Sequence, residues 1–311
     1  MVTNIDLWAK SGSIILPGRD PLPFWGFSGS AGAGAQLPGP RYDVMEGESL
    51  HITLSNQLPG TTSLVLSGVE FTPQPVKDGQ GRFVSYNTEA APGGSAAYDI
   101  VAARPGVFLY QSGTAPETQV QMGLYGVIVV RPLGYDPGNP STWSGYGPGT
   151  GTEFDVEKVL VIGEVDTAWH EEIAGGGTPS DYDPGYFTLN GRSYPATVDP
   201  DDASSQPYGS GMAAAPGQRI LLRIINAGFL NHTLSLDGVT ARVVAGDSWP
   251  LKTSIDTTYR KNTITLGSGQ SYDLLFTAPA TGKYVIYDRD LNHVVNANQF
   301  PGGIITILEV T

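Results

Sequence analysis

An internal repeat constrains this chain more than any other feature. The stretch GESLHITLSNQLPGTTSLVLSGV from Gly47 aligns without a gap on GQRILLRIINAGFLNHTLSLDGV from Gly217. Gly47 meets Gly217, Asn56 meets Asn226 and Gly68 meets Gly238, each pair 170 residues apart. Two further blocks keep the same order. GGSAAYDIVAARPGVFLY around Tyr98-Asp99 matches GSGQSYDLLFTAPATGKYV around Tyr272-Asp273, and Gly126-Val-Ile-Val-Val matches Gly303-Ile-Ile-Thr-Ile. Three matched blocks in one order predict two copies of one unit, and a chain of 311 residues can hold two ordinary domains.

Within the repeat the local pattern is strand. Leu50, Ile52 and Leu54 alternate with His51, Thr53 and Ser55, the period of two of a half-buried strand. Gly (41) and Pro (24) break the chain too often for long helices. Asn190-Gly191 between Tyr-Phe-Thr-Leu and Arg-Ser-Tyr predicts a tight hairpin turn. Ala168–Ala174, closed by Gly175-Gly-Gly, predicts a turn or two of helix. The expected fold is all-β, with two tandem Greek-key β-sandwich or barrel domains over 1–133 and 153–311. Between them, nine of the 19 residues 134–152 are Gly or Pro, so this stretch reads as a linker, tethered to a surface through Trp143.

Composition narrows the function. Seventeen Lys and Arg against 30 Asp and Glu give a net charge of -13, which repels nucleic acid and anionic membranes. No apolar run is long enough to cross a bilayer. The opening Val2-Thr-Asn-Ile-Asp6 has neither the basic start nor the apolar stretch of a signal peptide, so it reads as an internal protein or a mature form given a new Met. Cysteine is absent, which excludes disulfides, thiol nucleophiles and any copper site that needs a thiolate.

The matched blocks resemble the cupredoxin domains of multicopper oxidases. PGPRYDVMEGESLHITLSN is similar to the opening of such a domain, and PGVFLYQSGTAPETQVQMGLYGVIVVRP to its end. YFTLNGRSYP followed by RIINAGFLNHTLSLDGV resembles the second domain of the three-domain oxidases, whose third domain has no counterpart here. The resemblance implies two cupredoxin-like domains and, in the family, copper held by His-x-His pairs. It places the first pair on Ser63-Leu-Val-Leu-Ser-Gly68, where Val65 and Ser67 stand at the ligand positions. It places the second on Tyr110-Gln-Ser-Gly113, where Gln111 and Gly113 stand, with Ala115 nearby. The strand Tyr284-Val-Ile-Tyr-Asp288-Arg289 of the second repeat carries no Cys and no His-x-His.

The whole chain holds four histidines. His51 falls on the polar face of its strand and reads as solvated or cross-strand paired. His170, beside Glu171 and Glu172, reads as a surface salt bridge. His232 and His293 are the least improbable metal ligands if their chain ends converge. Asp181-Tyr-Asp183 and Asp199-Pro-Asp201-Asp202 read as solvated loops, and GSAGAGA from Gly29 as a flexible one. Tyr135, Trp143 and Tyr146 offer a stacking surface for a sugar, though packing explains them more simply.

The expectation is therefore a copper-free relative with no cofactor and no catalytic residues, in a structural or binding role, as a subunit of a larger extracytoplasmic assembly (periplasmic, cell-surface or secreted). Self-association or a protein partner is expected, since two-domain members of the family often form trimers. The alternatives are a copper-dependent oxidoreductase with an atypical site at His232 and His293, and a carbohydrate or cell-surface binding module.

Overall fold

The computed structural model describes residues 2–311. The first half carries β1 (Val2–Ile14), β2 (Leu22–Ser28), β3 (Tyr42–Met45), β4 (Ser49–Asn56), β5 (Thr62–Ser63), β6 (Val65–Leu66), β7 (Val76–Lys77), β8 (Phe83–Ser85), β9 (Glu89–Ala90), β10 (Ser95–Val101), β11 (Gly106–Gln111) and β12 (Tyr125–Arg131), with the short helix α1 (Pro116–Gln119) before β12. The second half carries β13 (Val156–Val165), helix α2 (Thr167–Ala174), β14 (Tyr186–Leu189), β15 (Met212–Ala214), β16 (Arg219–Asn226), β17 (His232–Leu236), β18 (Ala241–Gly246), β19 (Trp249–Pro250), β20 (Tyr259–Lys261), β21 (Thr263–Leu266), β22 (Ser271–Thr277), β23 (Gly282–Asp288) and β24 (Ile305–Val310).

The repeat in the sequence is a repeat in topology. One sheet of the first half runs β10-β4-β1-β2, and its counterpart contains β22-β16-β13-β14 and continues beyond β22 through β18 and β19. The facing sheets run β3-β12-β11-β6 and β15-β24-β23-β17. Parallel pairs recur at the same places, β1 with β4 and β13 with β16, β3 with β12 and β15 with β24. The matched residues recur because each copy needs the same local chemistry. Gly47 and Gly217 have φ of +81° and +88°, and Gly68 and Gly238 have +78° and +77°, a region that side chains resist. Buried Asn56 donates to the carbonyls of Gly60 (2.8 Å) and Ala90 (2.9 Å) and accepts from Leu58 N. Asn226 donates to Leu230 O at 2.7 Å and accepts from Gly228 N at 2.9 Å. One amide thus satisfies the backbone of the loop that leaves the strand in both halves.

Each half packs its two sheets around its own core. Ile52, Leu54, Phe108 and Ile128 centre the first, and Leu222, Leu234, Leu274 and Leu308 the second. A third cluster joins them: Val107, Leu109, Val127 and Val129 on the outer face of β11 and β12 meet Val159, Val161 and Ile225 on β13 and β16. Residues after β12 then cross the outer face of the second half's sheet. Trp143 stacks on Phe154 (5.9 Å, 26°), and Tyr146 buries its ring and donates to Asp273 Oδ2 at 2.8 Å. Trp143 is the tether expected of it. The aromatic trio gives no sugar platform, because Tyr146 is buried and the Arg131 guanidinium covers Tyr135 at 4.7 Å.

Asn190 and Gly191 form the predicted tight turn, with φ of +53° and +77°, and α2 covers the predicted helical segment. His51 pairs across strands with Asp99 at 2.7 Å, as its place on the polar face implied. His170 does not pair with Glu171 or Glu172. It points inward from α2, fully buried, with Nδ1 2.8 Å from Pro23 O and Nε2 2.9 Å from Gln121 O. The amphipathic turn puts it on the face that docks on β2, and Glu171 reaches Arg19 instead. The GSAGAGA loop is organised around an ammonium: Lys10 Nζ donates to the carbonyls of Ser30 (3.0 Å), Ala31 (2.8 Å) and Ala33 (2.6 Å). No helix of the described residues is long and apolar enough to cross a membrane.

Candidate functional site

Two places hold the candidate residues. At the first, β6 lies antiparallel to β11 and sets Val65 opposite Gln111, while Ser67 N bonds to Leu109 O at 2.9 Å. Gly113 follows in the loop after β11. A Cβ there would stand 2.8 Å from Val65 Cγ1 and 3.0 Å from Ser63 Oγ. The four positions are therefore neighbours, but no side chain fits at 113 without a shift. Hydroxyls and amides fill the layer behind. Ser63 Oγ lies 2.9 Å from Ser85 Oγ, and Thr114 Oγ1 lies 3.0 Å from both. Thr62 and Ser112 each donate to Gln119 Oε1 at 2.7 Å, and Gln119 Nε2 donates to Thr61 O at 2.7 Å. This is a polar network of hydroxyls and an amide with the Glu89 carboxylate at its edge, 3.0 Å from Thr114 Oγ1, and it offers neither the imidazole nor the thiolate that copper favours. Copper does not fit these residues.

The second place is in the other half. His232 opens β17, Asp288 ends β23 and His293 closes the 3₁₀ turn Leu291–His293 just beyond it. The pairing of β17 with β23 brings them together, so the expected meeting of His232 and His293 occurs, with ring centroids 4.8 Å apart. His232 Nδ1 donates to Asp288 Oδ2 at 2.7 Å, and its Nε2 to Glu164 Oε1 at 2.7 Å. His293 Nδ1 also reaches Asp288 Oδ2, at 2.9 Å, and Phe187 lies against its ring at 4.2 Å. Backbone N–H groups complete both carboxylates, from Thr233 and Asp290 to Asp288 and from Phe229 and Leu230 to Glu164. Gly228 allows the Glu164 contact, since a Cβ there would fall 2.2 Å from Oε1.

The electrostatics follow from this geometry. Burial would lower the His232 pKa, but hydrogen bonds to Asp288 and Glu164 more than offset it and hold the ring at about 9. Burial would raise Asp288, yet the bonds from His232 and His293 bring it down to about 2. Tyr182 donates to Glu164 Oε2 at 3.0 Å, and burial together with that carboxylate keeps its phenol protonated. At neutral pH the cluster is an imidazolium held between two carboxylates. His232, Asp288 and His293 also offer ligand atoms within 4.8 Å of one another. Two imidazoles and a carboxylate suit a single borderline ion such as Cu²⁺ or Zn²⁺, but His232 must first lose its proton, which costs roughly 3 kcal/mol at pH 7 from its pKa of about 9. Sequence reasoning missed Glu164 and Asp288 as partners. For Asp288 the signal was present, since it stands on the strand that repeats the Tyr110-Gln111 strand.

A family model described as multicopper oxidase matches residues 28–134, and a second of the same description matches 164–310. The chain belongs to the multicopper oxidase family. Laccase-13 of Arabidopsis thaliana is 29% identical over 270 residues, which cover 78% of this chain and 39% of that protein. The chain thus spans well under half the length of this curated relative. Among solved structures, the blue copper oxidase from Nitrosomonas europaea superposes with a TM-score of 0.77 at 22% identity, covering 100% of this chain and 86% of that one. The copper nitrite reductase from Nitrosomonas europaea gives 0.73 at 20% identity, covering 100% and 94%. These likenesses establish the two-domain cupredoxin-like fold.

Proposed function

We propose that this chain is a copper-free multicopper-oxidase-like protein with a binding or structural role in a larger extracytoplasmic assembly. The observation that supports this most is the packing at Gly113, where Val65 and Ser63 occupy the space a ligating side chain would need. Beside it, ordinary hydrogen bonds use up the donors and acceptors of Ser63, Ser85, Thr114 and Gln119. A fold keeps its core when its site changes, because packing and ligation use different side chains. The reading predicts that protein incubated with excess Cu²⁺ and then desalted keeps well under one copper per chain. Retention of several tightly held coppers ends it.

The convergence of His232, Asp288 and His293 supports a second reading, an oxidoreductase working through one atypical metal site. It predicts one Cu²⁺ per chain, lost in both His232→Ala and His293→Ala, and with it the loss of a copper-dependent oxidation of a phenol in which dioxygen takes up the electrons. Unchanged metal binding in both variants rules these ligands out.

A further inference from the structure

The overall charge of -13 hides a local exception. Five of the 17 Lys and Arg, namely Arg219, Arg242, Lys252, Arg260 and Lys261, gather at one margin of the second half's larger sheet. Register sets three of them on one face. Arg219 is opposite Thr277 on β22; two residues along, Leu275 is opposite Arg242 on β18; and Arg242 is opposite Arg260 on β20. The core takes the alternate residues Ile220, Phe276 and Val243, so this face looks outward, just past where residues 143–154 cover the sheet.

Like charges placed directly opposite across strands destabilise a sheet. Arg242 and Arg260 are such a pair, and among the described residues neither forms an ion pair, in a chain with 30 carboxylate side chains to draw on. The nearest carboxylates compensate them only in part. Glu153 and Asp155 sit against Arg219, at 3.9 and 3.3 Å, and Asp256, which accepts from Thr258, feels the Lys252 and Arg242 charges without forming an ion pair with either. Arg242 is also fixed in place, since it donates to Gly151 O. Around these groups lies a concavity of about 350 Å³ bounded by Arg219, Arg242, Arg260, Thr240 and Thr277, with one carboxylate, Glu153, on the Arg219 side of its wall. Forked guanidinium groups recognise tetrahedral oxyanions through paired N–H donors.

We infer that this face binds a small molecule carrying a phosphate or sulfate group, with Arg242 and Arg260 clamping the oxyanion and Arg219 at the rim. The cavity is larger than the oxyanion alone requires, so the preferred ligand is a phosphate or sulfate ester of monosaccharide size. The inference stands whether or not the chain binds copper.

The test is calorimetric titration of the full chain at low chloride with glucose 6-phosphate, glucose 6-sulfate, inorganic phosphate and inorganic sulfate. Glucose 6-phosphate or glucose 6-sulfate is expected to bind with 1:1 stoichiometry. Arg260→Gln should weaken that binding roughly tenfold or more, the loss of one charge-assisted pair. Arg82→Gln, in the β7–β8 hairpin of the other half, should leave it unchanged. The inorganic ions report whether the ester's sugar contributes: equal affinity for free phosphate or sulfate assigns the site to the bare anion. Because Arg260 is exposed and Arg242 holds the backbone, Arg260→Gln should fold, and relief of repulsion should raise its Tm by about 1 °C. Absence of binding by all four compounds overturns the inference. So does binding that Arg260→Gln leaves intact, or a fall in Tm that marks Arg260 as a structural support.

Discussion

Raising the pH should unfasten the imidazolium clamp of the second domain. His232 titrates at about 9 in the folded protein and near 6.5 when exposed in the unfolded chain. A group whose folded pKa is raised stabilises fully below its unfolded value and loses that contribution as pH rises through the folded value. The loss therefore runs from about pH 6.5 to about 9, at roughly 1.4 kcal/mol per pH unit, and totals about 3 kcal/mol. Chemical denaturation by urea at a series of pH values, followed by tryptophan fluorescence, measures it, since Trp169 lies edge-on to Tyr182, the phenol bonded to Glu164. The informative quantity is the difference between the native protein and His232→Gln, because titrating groups that do not touch His232 cancel and its partner Asp288 titrates far below this pH range. His232→Gln should be less stable at pH 6 and should lack the alkaline slope. Parallel pH profiles for the two proteins would refute the assignment of His232 as a buried cation.

Other perturbations follow from the same contacts. Arg223→Met should cost about 3–5 kcal/mol in urea unfolding, since it removes the one cation paired with the buried Asp273 carboxylate and leaves Glu157 with Arg131 alone. Burial would raise Glu157, but the Arg223 and Arg131 charges hold it at about 2, so its contribution should be lost as pH falls from about 4.5 toward 2, a slope that Arg223→Met should flatten. Gly113→His should fail to create a copper ligand and should destabilise by about 1–3 kcal/mol, read as a drop in Tm, because its Cβ meets Val65 and Ser63. Asn56→Ala and Asn226→Ala should each cost about 1–3 kcal/mol in separate urea titrations, since each leaves buried loop backbone unpaired.

The parts of this molecule readable in its sequence are those fixed by local chemistry. Gly47 and Gly217 mark one backbone conformation twice, Asn56 and Asn226 close the same loop twice, and Asn190-Gly191 names its own turn. Features set by tertiary register were not readable. His170 looked like a surface residue because its neighbours are charged, whereas the docking of α2 on β2 decides which way the ring faces. Glu164 stands 68 residues from His232 and Asp288 stands 56, so only the sheet order makes them one cluster. The repulsive Arg242–Arg260 pair likewise exists only through the β18–β20 register. The resemblance to the family suggested where ligands would be expected, and the packing of Val65 and Ser63 shows that a side chain at Gly113 would need a shift.

The central claim concerns copper at Val65, Ser67, Gln111 and Gly113, and anomalous scattering addresses it by position. Crystals grown with excess Cu²⁺ and measured at the copper absorption edge should show no peak between β6 and β11. A strong peak there, coordinated by side chains of this chain, would contradict the account.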